Sequence, residues 1–150
     1  MGFPRPSDDN GTPFWYALGD MNETGSGSGL AGKEMEQPTR VLIADDGLRA
    51  RRALRAVLAL EPGIEVIGEA TDGPEAVRLV EELGPDVVLM DAKMPVMDGL
   101  EATRFIKAQW PEVRVVVLTI HPGCRDEALS AGADAFLVKG CSGKDLLEAV

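Results

Sequence analysis

The chain has 150 residues, 45% of them hydrophobic, and a formal net charge of −10 at neutral pH. That length suits one domain with a real core, and few aromatics beside abundant Val, Leu and Ala suit an α/β protein. The acidic balance argues against gripping nucleic acid by its phosphates, because that mode needs Lys and Arg to displace counterions.

Cys124 and Cys141 give neither a disulfide framework nor metal-ligand spacing. No run approaches the roughly 18 apolar residues of a membrane span. Asp8 and Asp9 stand where a signal peptide would be basic. A cytoplasmic protein without membrane contact is expected.

Residues 1–38 read as a flexible N-terminal extension or linker, with Gly-Ser-Gly-Ser-Gly at 25–29 and one apolar patch, Phe14-Trp15-Tyr16-Ala17-Leu18. The composition fits a plain extension, or a tether carrying Phe14 to Leu18 as a short recognition peptide.

From residue 39 to 150, strand-like and helix-like segments alternate, which signals five βα pairs and a mainly parallel sheet. The first strand, Val41–Asp45, is an apolar run that ends on Asp45-Asp46. The helix after it, Leu48 to Leu60, puts Ala50, Leu54, Val57 and Leu58 on one face. Arg49, Arg52 and Arg55 fall on another side, as a solvated basic face or a docking face for an acidic partner. The second strand, Ile64–Glu69, carries Glu65 inside it and reads as an edge strand.

The second helix opens at Asp72-Gly73-Pro74-Glu75, with Asp72 as its cap, and stops at Gly84-Pro85. The third strand, Val87–Met90, delivers Asp91 at its carboxyl end. The third helix, Leu100 to Trp110, is ended by Pro111, because a residue before proline is pushed away from helical angles. The fourth strand is Val113–Thr119 and the fifth Ala135–Val138, followed by Lys139. A last helix starts at Ser142, with Asp145 three residues on, and the chain stops inside it at Val150.

Asp91 is the most informative residue. A carboxylate at the carboxyl end of a buried strand, with a turn-forming Pro and Gly behind it, sits where open α/β sheets place their chemistry. Asp45 and Asp46 end the first strand, which such a sheet places beside the third. At an effective dielectric near 20, two unit charges about 4 Å apart repel by roughly 4 kcal/mol, so three carboxylates there call for a cation. All-oxygen ligation with room for water and phosphate suits Mg²⁺. Thr119 and Lys139 end the last two strands and bring a hydroxyl and an ammonium to the same rim. The sole histidine, His121, reads as a loop residue.

Asp45-Asp46, Asp91 with Met94-Pro95-Val96-Met97-Asp98-Gly99, Thr119, and Ala131 to Lys139 together resemble the receiver domain of bacterial two-component response regulators. The Val-Leu-Ile-Ala-Asp-Asp opening, Glu61-Pro62-Gly63 and the pair Lys139-Gly140 resemble the NarL/LuxR-type branch. The resemblance implies a flavodoxin-like five-stranded parallel sheet, order 2-1-3-4-5, with helices on both faces. It implies that Asp91 accepts a phosphoryl group from the phosphohistidine of a sensor histidine kinase. Asp46, Asp91 and the backbone carbonyl of Lys93 would ligate Mg²⁺, with Asp45 acting through water and Lys139 offsetting charge. Thr119 and Phe136 would form the switch, although Phe136 also fits the plain role of a core aromatic.

The interval from Thr119 to Lys139 is shorter than usual in the family, which predicts a shortened fourth helix between His121 and Ser130. Phosphorylation and its loss would be self-catalysed, so the domain is expected to be a phosphoacceptor and not an enzyme. A phosphorylation-dependent homodimer is compatible with this branch, whose receivers usually precede a DNA-binding helix-turn-helix domain that is absent from this sequence. The chain therefore reads as a receiver fragment or a stand-alone domain, and a degenerate receiver serving as an interaction module is the alternative. An aspartate-based phosphatase would carry a second acid two residues after Asp91, where Lys93 stands. A flavin carrier would need a glycine- and hydroxyl-rich loop in place of Asp46-Gly47-Leu48-Arg49.

Overall fold

The computed structural model describes residues 37–150, in which strands and helices alternate from Thr39 onward. The expected flexible extension falls outside the described residues, save for residues 37 and 38 at its end.

The strands are β1 (Thr39–Ala44), β2 (Ile64–Ala70), β3 (Val87–Asp91), β4 (Arg114–Thr119) and β5 (Ala135–Val138). They form one parallel sheet in the order β2-β1-β3-β4-β5. This is the expected order, and β2 is at an edge. The helices are α1 (Leu48–Leu58), α2 (Gly73–Leu83), α3 (Gly99–Gln109), α4 (Arg125–Ser130) and α5 (Gly143–Ala149).

Alternation along the central strands divides the core in two. Val41, Ile43, Val87 and Leu89 join Leu58 and Leu146, on the side of α1 and α5. Leu42, Ala44, Val88 and Met90 join Val80, Ile106 and Ala128, on the side of α2, α3 and α4. Strands covered on both faces need apolar side chains at every position, which is why β3 and β4 read as continuous hydrophobic runs.

Helix ends follow the chemistry of their caps. Asp72 accepts a hydrogen bond from the Glu75 amide at 2.8 Å, and the Glu75 carboxylate reaches back to the Thr71 amide at 2.8 Å. Asp98 and Ser142 cap α3 and α5 by accepting from the Glu101 and Asp145 amides. The αL backbone of Gly84 closes α2.

Boundaries differ from the expected ones by one or two residues. β1 begins at Thr39 because the Arg40 amide finds Asp86 Oδ2 at 2.8 Å, and it ends at Ala44, so Asp45 stands just past the strand. β3 includes Asp91, which pairs with Leu118. The pairing of β1 with β2 shifts between Val41 and Leu42, where Ile67 is the extra residue. The expected short fourth helix is present: a 3₁₀ turn at Pro122–Cys124 leads into the six residues of α4.

Candidate phosphoacceptor site

The carboxyl ends of β1, β3 and β5 bring Asp45, Asp46, Asp91 and Lys139 together. One carboxylate oxygen from each of the three acids lies within 4.8 Å of the others. Asp45 and Asp91 are buried, at 2% and 8% exposure, while Asp46 faces solvent.

Local folding explains this placement. Asp45 Oδ1 accepts from the Gly47 amide at 2.8 Å, an Asx-type turn that starts α1. Behind Asp91, the Gly99 amide donates to the Ala92 carbonyl at 2.8 Å and draws α3 against the strand end. A Cβ on Gly99 would stand 1.8 Å from the Asp91 carbonyl oxygen, so only glycine permits this approach. The intervening loop carries Val96 at φ 72°, a left-handed backbone that a β-branched residue rarely adopts. Val96 is 87% exposed.

Lys139 Nζ lies 2.6 Å from Asp45 Oδ2 and 3.6 Å from Asp91 Oδ1, so its tighter partner is Asp45. Burial and the neighbouring Asp45 charge raise the pKa of Asp91 above the usual carboxylate value, against the lowering effect of Lys139 and the Lys93 amide. The Lys93 amide reaches Asp91 Oδ1 over a long 3.4 Å. For Lys139, burial penalises the ammonium, but the Asp45 hydrogen bond and the Asp91 charge outweigh it and hold its pKa above the ordinary lysine value.

Three carboxylates facing one ammonium leave excess negative charge at a partly dry rim. Oxygen donors this close together fit a hard divalent cation such as Mg²⁺. Asp46 is the acid with room for it, because among the described residues no hydrogen bond or ion pair holds its carboxylate.

Thr119 ends β4 one residue beyond Leu118, the partner of Asp91. It is buried, and its hydroxyl accepts from the His121 amide at 3.1 Å. Phe136, half-buried on β5, packs against the core on the side of α2 to α4. His121 is exposed, as expected of a loop residue, and the two cysteines are unpaired.

Sequence reasoning missed Arg51. It set Arg49, Arg52 and Arg55 on a solvated or docking face and gave Arg51 no role, yet Arg51 Nε bonds Glu69 Oε1 at 2.7 Å and Nη1 bonds the Asp45 carbonyl at 2.8 Å. Arg55, placed on that outer face, also pairs with Glu69. Both contacts hold Glu69 below the ordinary carboxylate pKa. An i, i+4 pair of arginines opposite the Glu69 that ends the predicted second strand was the available signal.

Comparison with known proteins agrees with this fold. Residues 41–150 match the response regulator receiver domain family. The transcriptional regulatory protein DegU of Brevibacillus brevis is 41% identical over an alignment of 120 residues that covers 77% of this chain and 50% of DegU. The chain spans about half the length of the curated relatives it matches. The signal receiver domain of NarL from Mycobacterium tuberculosis superposes with a TM-score of 0.72 at 32% identity, covering 76% of this chain and 94% of that one. A chain of the CheX–CheY–BeF3–Mg complex of Borrelia burgdorferi superposes with a TM-score of 0.71 at 27% identity, covering 79% of this chain and 90% of that one. Among the described residues no helix is long and apolar enough to cross a membrane. With its acids, lysine and threonine on the ends of a sheet ordered 2-1-3-4-5, the chain belongs to the response regulator receiver domain family, in its NarL/LuxR-type branch.

Proposed function

We propose that Asp91 is the phosphoacceptor of a two-component signalling switch. The observation that carries this reading is the convergence of three carboxylates within 4.8 Å beside Lys139. The donor would be the phosphohistidine of a sensor histidine kinase in the cytoplasm. An Asp91 oxygen attacks phosphorus, the P–N bond breaks, and the imidazole leaves with the electron pair and takes up a proton. The product is an acyl phosphate, which water later cleaves to restore the carboxylate. No separate substrate is turned over, so the domain is a self-modifying switch and not an enzyme.

Asp46, Asp91 and the Lys93 carbonyl would hold Mg²⁺ directly, with Asp45 reaching it through water, and the bound ion supplies positive charge against the phosphoryl oxygens. That the name of the similar CheY complex includes both BeF3 and Mg supports reading the site as one for Mg²⁺. Lys139 neutralises a further oxygen from its place between Asp45 and Asp91. With Asp45 already bonded to Gly47 and Lys139, Asp46 is the better direct ligand.

Signalling would follow from two residues. The Thr119 hydroxyl, which accepts from the His121 amide, would move to donate its proton to a phosphoryl oxygen, and Phe136 would turn into the space that it leaves. That rearrangement reshapes the surface near α4, β5 and α5 and would control dimerisation or transcriptional output.

Incubation of the full chain with acetyl phosphate and Mg²⁺, followed by intact mass measurement, tests the reading. One phosphoryl group is expected, lost with a chelator and in Asp91→Asn. Equal labelling of Asp91→Asn overturns it.

A further inference from the structure

Each polar atom of Asp45 has a partner. Its amide donates to the Ala70 carbonyl at 2.9 Å, Oδ1 accepts from Gly47 at 2.8 Å, and Oδ2 accepts from Lys139 at 2.6 Å. The fourth atom, the backbone carbonyl, accepts from Arg51 Nη1 at 2.8 Å. The same guanidinium donates through Nε to Glu69 Oε1 at 2.7 Å, and its side chain is only 12% exposed. One arginine therefore links the end of β1, the first turns of α1 and the end of β2.

The position of that carbonyl matters because the peptide bond is planar. Fixing the Asp45 oxygen fixes the whole Asp45–Asp46 peptide plane, and with it where the Asp46 Cα and side chain start. Among the described residues no hydrogen bond or ion pair holds the Asp46 carboxylate, so the backbone is what fixes the point from which it reaches the metal. We infer that Arg51 is a positioning residue for the metal-binding acids: by tying the Asp45 carbonyl to Glu69, it presents Asp46 to Mg²⁺ in ligating geometry. The inference rests on the Mg²⁺ reading above.

A guanidinium suits this task because its rigid fork can serve two acceptors at fixed angles, whereas an ammonium is a point charge. Arg55 supplies the control. It also ties α1 to Glu69 but makes no contact with Asp45, and its side chain is 48% exposed. If Arg51 only fastened helix to strand, its removal would lower stability without changing Mg²⁺ binding, as the removal of Arg55 should.

The test is calorimetric Mg²⁺ titration of the full chain and its variants, with thermal midpoints in Mg²⁺-free buffer and KM for acetyl phosphate at saturating Mg²⁺. Loss of an outer-shell partner typically weakens metal binding by 10–100-fold, so Arg51→Met is expected to weaken Mg²⁺ binding about tenfold and to leave that KM unchanged. Arg55→Met should bind Mg²⁺ like the wild type, and Arg51→Lys should recover little of the loss. Wild-type Mg²⁺ affinity in Arg51→Met overturns the inference even if the midpoint falls, as does equal weakening in Arg55→Met. Where Arg51→Met does not fold, Glu69→Gln carries the test, with a smaller loss in the same direction expected and no loss overturning it. Asp46→Asn separates the two claims. If it too leaves Mg²⁺ binding unchanged, the metal reading fails; if it alone weakens binding, only the role of Arg51 fails.

Discussion

Aspartates stand at both ends of this sheet, and the two ends use them differently. At the amino end, Asp86 precedes β3 and accepts from the Arg40 amide at 2.8 Å, while Asp134 precedes β5 and accepts from the Val115 amide at 2.8 Å and from Lys107 at 2.9 Å. Each of these acids locks a neighbouring strand in register. At the carboxyl end, Asp45, Asp46 and Asp91 crowd together, and among the described residues Lys139 is the one ammonium paired with any of them, Asp45 and Asp91. Acids in balance with their donors mark scaffold; acids in excess of them mark chemistry.

The largest expected contrast between the two ends comes from Asp91→Asn, which should abolish modification by acetyl phosphate. It should also change the pH profile of stability in Mg²⁺-free buffer. Burial and Asp45 raise the folded pKa of Asp91, so the native state holds this proton more tightly than the unfolded chain does. The wild type should therefore lose stability relative to Asp91→Asn as pH rises through that folded pKa, above the ordinary carboxylate range, and the gap should close below it. Denaturant titrations at several pH values check the sign, and a gap that widens toward low pH would refute it.

Next in size is Gly99→Ala. A methyl at 1.8 Å from the Asp91 carbonyl forces α3 away from the strand end, at a cost of about 3 kcal/mol in stability. Phosphorylation should slow as well, because Asp91 shifts with its backbone. Asp134→Ala should break this coupling of stability to function: it leaves the buried Val115 amide without its acceptor and costs about 2 kcal/mol, yet the labelling rate of the folded protein should hold. A lost labelling rate in folded Asp134→Ala would erase the distinction between the two ends. The smallest effect belongs to Val96→Asn. Asparagine tolerates φ 72° better than valine, and the exposed side chain forfeits little burial, so stability should rise by about 1 kcal/mol.

Much of the fold was legible because local chemistry and global packing agree. The apolar runs of β3 and β4, the caps Asp72 and Ser142 and the stop at Gly84 signal their elements without help from distant residues. The start of β1 was not legible, since Thr39 and Arg40 join the sheet through Gly63 and Asp86. The irregularity at Ile67 is a property of strand pairing, which no single segment encodes. At the site, residue types at strand ends pointed to Asp45, Asp46, Asp91, Thr119 and Lys139. The role of Arg51 escaped because four arginines share α1, and which one meets the Asp45 carbonyl depends on the helix rotation set by tertiary packing.

The central claim is best tested by locating the modified residue. Full-length protein treated with acetyl phosphate and Mg²⁺, reduced with borohydride to trap the acyl phosphate, and read by tandem mass spectrometry should show one converted aspartate, at Asp91. A mark at Asp45 or Asp46, a phosphate on a serine or on His121, or conversion without Mg²⁺ would contradict the account.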